Sequence, residues 1–331
     1  MKKRRCLTVC DPEFICYPHT TYANAVIRHV AGDRADILTC SKYINCYFCE
    51  NSVNHKMRIS VFDHWCTAQD LMHQQFIDIS KELCKKRKTD LVLMIKKCLR
   101  HDNYVLGQCN RAYIEEQADR NAPMFDFMVV GLDDIAHEFT LYGLDSEERF
   151  SCYRVDYQRF VEALFDTPRL NITFTLWWHF KGAKIALDLP NIIFELEDYV
   201  NSTHRRVYYT KDKTYGLAAM REWAKCFYRT AQSGAPLKEA YLNQFSVHKS
   251  YMKKRIAILA SNGIVDPKWI EVADRVAQMG NDVLQLGRAF CETRDMALID
   301  RLVGLMEETV RIETDYLPHV LEELKKHNQT K

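Results

Sequence analysis

Cys16 lies in the stretch FICYPHTTYANAVIRHV (residues 14–30), two residues ahead of Pro18 and directly before a run with helical spacing. A cysteine at the first turn of a helix meets unpaired backbone N–H groups and the positive end of the macrodipole. Both favour the thiolate, and the same N–H groups can receive an oxyanion. That position suits a nucleophile; the other reading is a small buried hydrophobe, the commonest role of a free cysteine. His19 follows three residues later on nearly the same helical face, either as a base in contact with the sulfur or as a plain polar residue of the helix. Asp126 and Asp145 begin and end a pair of strand-like runs, FDFMVVGLDD (125–134) and HEFTLYGLD (137–145), which brings both to one end of the hairpin, an end that can lie near Cys16. A carboxylate there can orient an imidazole, hold an ammonium group or cap a loop. Tyr17 is a cleft-lining or a packing aromatic, and His64 in VFDHWCTAQ is a second imidazole that the fold can bring in, or a loop residue.

The elements that must position these groups fall into two rhythms. Up to about residue 185, runs rich in Val, Phe, Tyr, Thr and Trp are punctuated by Gly, Asp and Asn: YVLGQCNRAYI (104–114), the two runs above, FSCYRV (150–155) and NITFTLWWHFK (171–181). GLDDIAHE reads as the turn of an antiparallel hairpin, with His137 at the end remote from Cys16. TAQDLMHQQFIDISKELCKK (67–86) and DYQRFVEALF (156–165) carry helical spacing, and KKRK (85–88) closes the first of them, where cations complement the dipole. This half is expected to be α+β. From Pro190 the chain reads as helical: PNIIFELEDYVNS opens on a proline, and TYGLAAMREWAKCFYRTAQSG stops at Gly234 before Pro236. Trp269, Val272, Val276, Met279, Val283, Leu286 and Phe290 form one stripe along a helix, and a last helix spans about 295–325. Two domains are expected, 1–185 and 186–331.

The 46 basic and 44 acidic residues leave no charge excess to hold nucleic acid or an anionic membrane. The start MKKRRCLTVCDPEF has no apolar run behind it, and no window approaches the roughly 18 apolar residues of a membrane span, so a soluble cytoplasmic protein is expected. Thirteen cysteines, an odd number without a secretion signal, read as reduced thiols. The nearest approach to a metal pattern is Cys6/Cys10 with Cys46/Cys49, whose first knuckle has three intervening residues and no glycine, so scattered thiols are expected rather than zinc. No repeat and no glycine-rich phosphate loop is present.

The order of a cysteine-led helix, a largely helical insertion and a hairpin resembles papain-like cysteine peptidases. More closely, the chain resembles butirosin-type acyltransferases and related papain-fold proteins of bacterial peptide, polyamide and polythioamide antibiotic pathways. The resemblance is carried by ICYPHTTYANAVI, by DFMVVGLDDIAHEFTLYGLDSEERFSCYRVDYQRFVEALF, by LEDYVNSTHRRVYYTKDKTYGLAAMREW and by FSVHKSYMKKRIAIL, and it extends over most of the chain. It implies a papain-like fold with an antiparallel sheet, followed by an all-α C-terminal domain. It also implies that Cys16 takes an acyl group from the pantetheine thioester of an acyl or peptidyl carrier protein and passes it to an amine, forming an amide. No cofactor of the chain's own is then needed, because the phosphopantetheine arrives on the carrier. The basic run HKSYMKKR (248–255) is then either a docking patch for an acidic carrier or a solvated helix face. One departure stands out: the family's histidine belongs six positions ahead of Gly131, and that residue is Phe125. A degenerate binding or scaffold protein, and a peptidase or thioesterase, are the alternatives; a homo-oligomer is compatible with all three.

Overall fold

The computed structural model describes residues 3–13, 18–51, 56–57, 72–115, 124–145, 149–179, 185–205 and 213–330, with backbone alone at 18–20, 50, 51, 56, 57 and 179. In chain order the elements are β1 (Arg4–Cys6), α1 (Pro18–Ala31), α2 (Ala35–Cys40), β2 (Tyr47–Asn51), β3 (Lys56–Met57), β4 (Met72–Ser80), α3 (Lys81–Cys84), α4 (Lys88–Arg100) and β5 (Asn103–Cys109). After a 3-10 turn at Arg111–Tyr113 come β6 (Phe125–Asp133), β7 (Glu138–Leu144), β8 (Phe150–Asp156), α5 (Tyr157–Phe165) and β9 (Asn171–His179). The chain ends with α6 (Leu189–Val200), β10 (Lys213–Tyr215), α7 (Gly216–Gln232), α8 (Glu239–Ser261), α9 (Lys268–Thr293) and α10 (Met296–Gln329). It divides into two compact units, Met1–Gly32 with Trp65–Lys184, and Asp33–His64 with Ile185–Lys331.

The first unit is built on an antiparallel sheet of seven strands in the order β4-β9-β5-β6-β7-β8, with β1 beside β6. The central strand, FDFMVVGLD, is buried along nearly its whole length, as befits a strand covered on both faces. One of its edges is shared: β5 pairs with residues 125–129, and β1 takes over at 131–133. The other edge pairs with β7, with a register shift between Val129 and Gly131. The turn beyond it is fixed by the Asp133 carboxylate, which accepts from the N–H groups of Ile135 and Ala136. Helix α5 starts where Asp156 accepts from the N–H groups of Gln158 and Arg159. It presses Phe160 against Phe127 and Phe139.

The helix expected over 67–86 is not what forms. Residues 72–80 are strand β4, paired residue for residue with β9 from Met72↔His179 to Ser80↔Asn171, and only the four residues of α3 are helical; residues 67–71 lie outside the described residues. Ile77 and Ile79 suit a strand, and the Asp78 carboxylate accepts from Asn171 and Thr173 across the pair, so long-range pairing overrides the local spacing. KKRK consequently spans the junction of α3 and α4. Lys88 opens α4, at the positive end of its dipole, so the favourable-dipole reading does not hold for that helix.

In the second unit a small sheet, β10-β2-β3, accompanies helices α2 and α6–α10. Residues 33–64, which sequence rhythm assigns to the first domain, cluster here because groups from the helices satisfy the backbone of 40–46. Arg255 donates to the carbonyls of Cys40 (2.7 Å) and Lys42 (2.6 Å), and His248 Nε2 donates to that of Ile44 (2.9 Å); in the other direction the Asn45 side chain donates to the carbonyl of Thr203 (2.8 Å). Of the stripe on α9, Val276, Met279, Val283 and Phe290 are buried, whereas Trp269, Val272 and Leu286 are half-buried. Gly280 lets α8 approach closely: a Cβ there would lie 3.1 Å from that of Lys249. Lys249 in turn reaches Glu313 of α10 at 2.6 Å, with both side chains fully buried.

HKSYMKKR is therefore no basic face. His248, Lys249 and Arg255 are buried, and Lys253 and Lys254 face Asp274 and Asp36. Overall the chain is mixed α and β, an antiparallel seven-stranded sheet with a helical C-terminal region.

Candidate functional site

Pro18 stands at the first position of α1, where its missing N–H costs nothing. One turn on, the hydroxyl of Tyr22 donates to the carbonyl of Asp126 at 2.6 Å. Tyr22 is buried, and burial pushes its phenol well above the ordinary tyrosine range, so the group remains a donor. This bond brings the first turns of α1 to the start of β6. Antiparallel registers bring the end of β5, the end of β7, the start of β8 and the start of β9 to the same edge of the sheet.

Asp126 is half-buried there. Its Oδ1 accepts from Gln108 Nε2 at 2.7 Å, directly across the β5–β6 pair. Burial raises its carboxyl above the usual range, only partly offset by that bond and by the cations of Arg169 and Arg111. Gln108 Oε1 is buried and has no partner among the described residues. Next to it Arg111 donates to Glu115 Oε1 at 2.5 Å, and Tyr153 donates to the same oxygen at 3.3 Å. The Arg111 guanidinium lies 5.1 Å from the ring centre of Phe125, and Tyr153 meets that ring edge-on at 5.3 Å. Phe125 itself is fully buried. The cluster thus offers an acceptor pair, Asp126 and Gln108 Oε1, beside a partly neutralised cation: groups able to hold an ammonium and to receive or return a proton.

Of the residues singled out from sequence, Cys16, Tyr17 and His64 lie outside the described residues. His19 is in the first turn of α1. Asp126 and Asp145 do share one end of the sheet, but their surroundings differ. Asp145 accepts from the backbone N–H of Arg149 (2.7 Å), from its Nε (2.8 Å) and from Ser151 (3.3 Å), closing its own loop. The described imidazoles of the first unit stand elsewhere. His73 and His101 lie by the opposite strand ends, His29 is in the last turn of α1, and His137 is in the hairpin turn with φ 59°.

Gln108, Arg111, Glu115 and Tyr153 were not singled out from sequence. The spacing of Arg111 and Glu115 at i, i+4 was a readable signal for a pair. Gln108 and Tyr153 become neighbours of the site only through strand register.

All described cysteines are free thiols, and among the described residues no group of three or more His, Cys, Asp or Glu side chains could hold a metal ion. No helix among them is long and apolar enough to cross a membrane. No family model matches the chain, and no curated protein matches it.

Proposed function

We propose that this chain is a papain-like, cysteine-dependent acyltransferase that moves an acyl group from a carrier-protein thioester to an amine. The Cys16 thiolate attacks the thioester carbonyl and the pantetheine thiolate departs. The amine then attacks the acyl-cysteine, a base accepts its proton and the Cys16 thiolate leaves with an amide formed. Thiol and thioester exchange is nearly balanced, so no nucleotide is needed.

The observation that carries this reading is the bond from Tyr22 to the carbonyl of Asp126, which brings the start of the helix following Cys16 to a half-buried carboxyl. Asp126 and the unpaired Gln108 Oε1 are suited to an ammonium substrate. The sequence resemblance supplies the carrier and the amide product. Intact-mass spectrometry tests the proposal: a chain mixed with an acyl-loaded carrier protein gains the acyl mass, Cys16→Ala abolishes the gain, and added amine discharges it. An adduct retained in Cys16→Ala rejects the assignment.

A second reading, a binding or scaffold protein without chemistry, is favoured by Phe125, which sits fully buried under Arg111 where the family has its imidazole. Fast alkylation of Cys16 near neutral pH supports catalysis, whereas slow alkylation, uniform across the thiols, supports binding alone.

A further inference from the structure

Of KKRK only Lys88 takes part in the first unit's packing, over the Phe165 ring, and the run has no role in the candidate site. Leu83 on α3 and Leu170 just before β9 are 81% and 87% exposed, the two most exposed large apolar side chains of the described chain. They belong to one corner of the unit, joined through the backbone. The N–H of Lys81 donates to the carbonyl of Leu170 at 3.2 Å. The Lys81 ammonium is turned inward, donating to Phe165 O (3.0 Å), Thr167 O (2.8 Å) and Thr167 Oγ1 (2.6 Å).

Around these leucines stand Lys85, Lys86, Arg87, Lys88 and Arg169, all exposed. Arg87 faces Asp90 at 4.0 Å, and Lys88 lies 4.9 Å from the ring centre of Phe165. Lys85 and Lys86 make no ion pair among the described residues. The acidic groups nearby are Glu82, on α3 itself, Asp166, which accepts from Asn110 and faces Lys81, Asp78, whose oxygens are taken by Asn171 and Thr173, and the Asp90 partner of Arg87. The whole-chain balance of +2 hides this local excess.

We propose that this corner is a membrane-docking surface, in which Leu83 and Leu170 enter the headgroup region of an anionic lipid bilayer and Lys85, Lys86, Lys88 and Arg169 meet its phosphates and carboxylates. Two observations favour lipid over an acidic protein. Protein interfaces are depleted of lysine at their cores, and this surface is lysine-rich. Its apolar part is two separate projecting side chains rather than a contiguous patch of interface size, which suits insertion between headgroups. The corner lies at the same end of the sheet as Asp126, whose carboxyl feels Arg169. The inference stands independently of the acyl-transfer reading and is tested without any activity.

Cosedimentation of the full chain with vesicles of phosphatidylcholine and phosphatidylserine in a roughly two-to-one ratio, against phosphatidylcholine alone, reads the effect. The expected result is binding to the mixed vesicles only, weakened by salt. Lys85→Glu/Lys86→Glu lowers the partition coefficient about 100-fold, and Leu83→Gln/Leu170→Gln about tenfold. Circular dichroism checks that each variant is folded. If the charge variant does not fold, the salt titration of the parent chain decides: binding that survives high salt overturns the proposal. So does absence of binding to the mixed vesicles, or full binding by both folded variants. Capture of an acidic acyl carrier protein that is lost in these variants, with no vesicle binding, overturns it in favour of a protein partner.

Discussion

Removing one member of the buried pair Lys249–Glu313 should cost far more than removing both. Lys249 Nζ is 2.6 Å from Glu313 Oε2, and the Tyr199 hydroxyl donates to the same oxygen at 2.7 Å; neither charged side chain is exposed at all. Glu313 Oε1 has no partner among the described residues, so this carboxylate depends on two donors at one oxygen. Lys249→Met leaves a buried carboxylate with the phenol alone, at a cost of about 3–5 kcal/mol. Replacing both, Lys249→Met with Glu313→Leu, removes the desolvation penalty of both charges and leaves mainly the Tyr199 hydroxyl unsatisfied, a loss of about 1–3 kcal/mol. The double variant should therefore be more stable than either single variant, and the cycle should show a coupling of at least about 3 kcal/mol. Urea unfolding of the full chain, followed by far-UV circular dichroism, measures this. With a slope near 2 kcal/mol per molar, the midpoint of Lys249→Met falls by about 1.5–2.5 M. A midpoint shift below about 0.5 M, or a double variant as unstable as the sum of the singles, would refute the reasoning.

Two further outcomes concern the candidate site. A Cβ on Gly143 would meet the Phe125 ring, at 2.7 Å from Cε1, and that ring is held by Arg111 and Tyr153. Gly143→Ala should thus cost about 1–3 kcal/mol in urea unfolding, with Phe125→Leu in the same chain recovering part of the loss; a neutral Gly143→Ala would contradict the packing. The raised carboxyl of Asp126 gives a sign for pH. Its folded-state pKa lies above the unfolded one, so its contribution to stability is full below the unfolded value and is lost as pH rises through the folded value. Asp126→Asn still accepts from Gln108 and cannot ionise. Its melting temperature relative to the parent chain should therefore climb as pH rises from the acid range, and a gap that narrows instead would show that Asp126 is not penalised by burial.

Where sequence alone led to the right element, the deciding interactions are local. The hairpin β6–β7 is marked by Asp133, whose carboxylate fixes its own turn, and α5 by Asp156 at its cap. The expected helix over 67–86 fails because the partner that makes residues 72–80 a strand lies about 100 residues further on. The same holds for residues 40–46: their backbone partners His248 and Arg255 lie more than 200 residues away, so nothing near them in the chain assigns them to the helical unit. In the candidate site Asp126 was legible as the start of a strand, whereas Gln108 was not, since only the β5–β6 register brings the two together.

The two lysine-rich stretches show what separates an inward cation from an outward one. On α8 the buried residues include the row Phe245, His248, Met252, Arg255 and Leu259, at alternating steps of three and four, with Lys249 and Ile256 one position on, so that the basic groups sit among the buried apolar positions themselves. A cation in such a position is drawn inside with the stripe and must find carbonyls or a carboxylate there, as Arg255 and Lys249 do. KKRK is a consecutive run at a helix junction, with no apolar residue among its four members. No stripe carries Lys85 and Lys86 inward, and both stay in water. The phase of a charge relative to the apolar residues around it, rather than the local density of charge, therefore decides whether it holds the fold together or is left to meet something outside it.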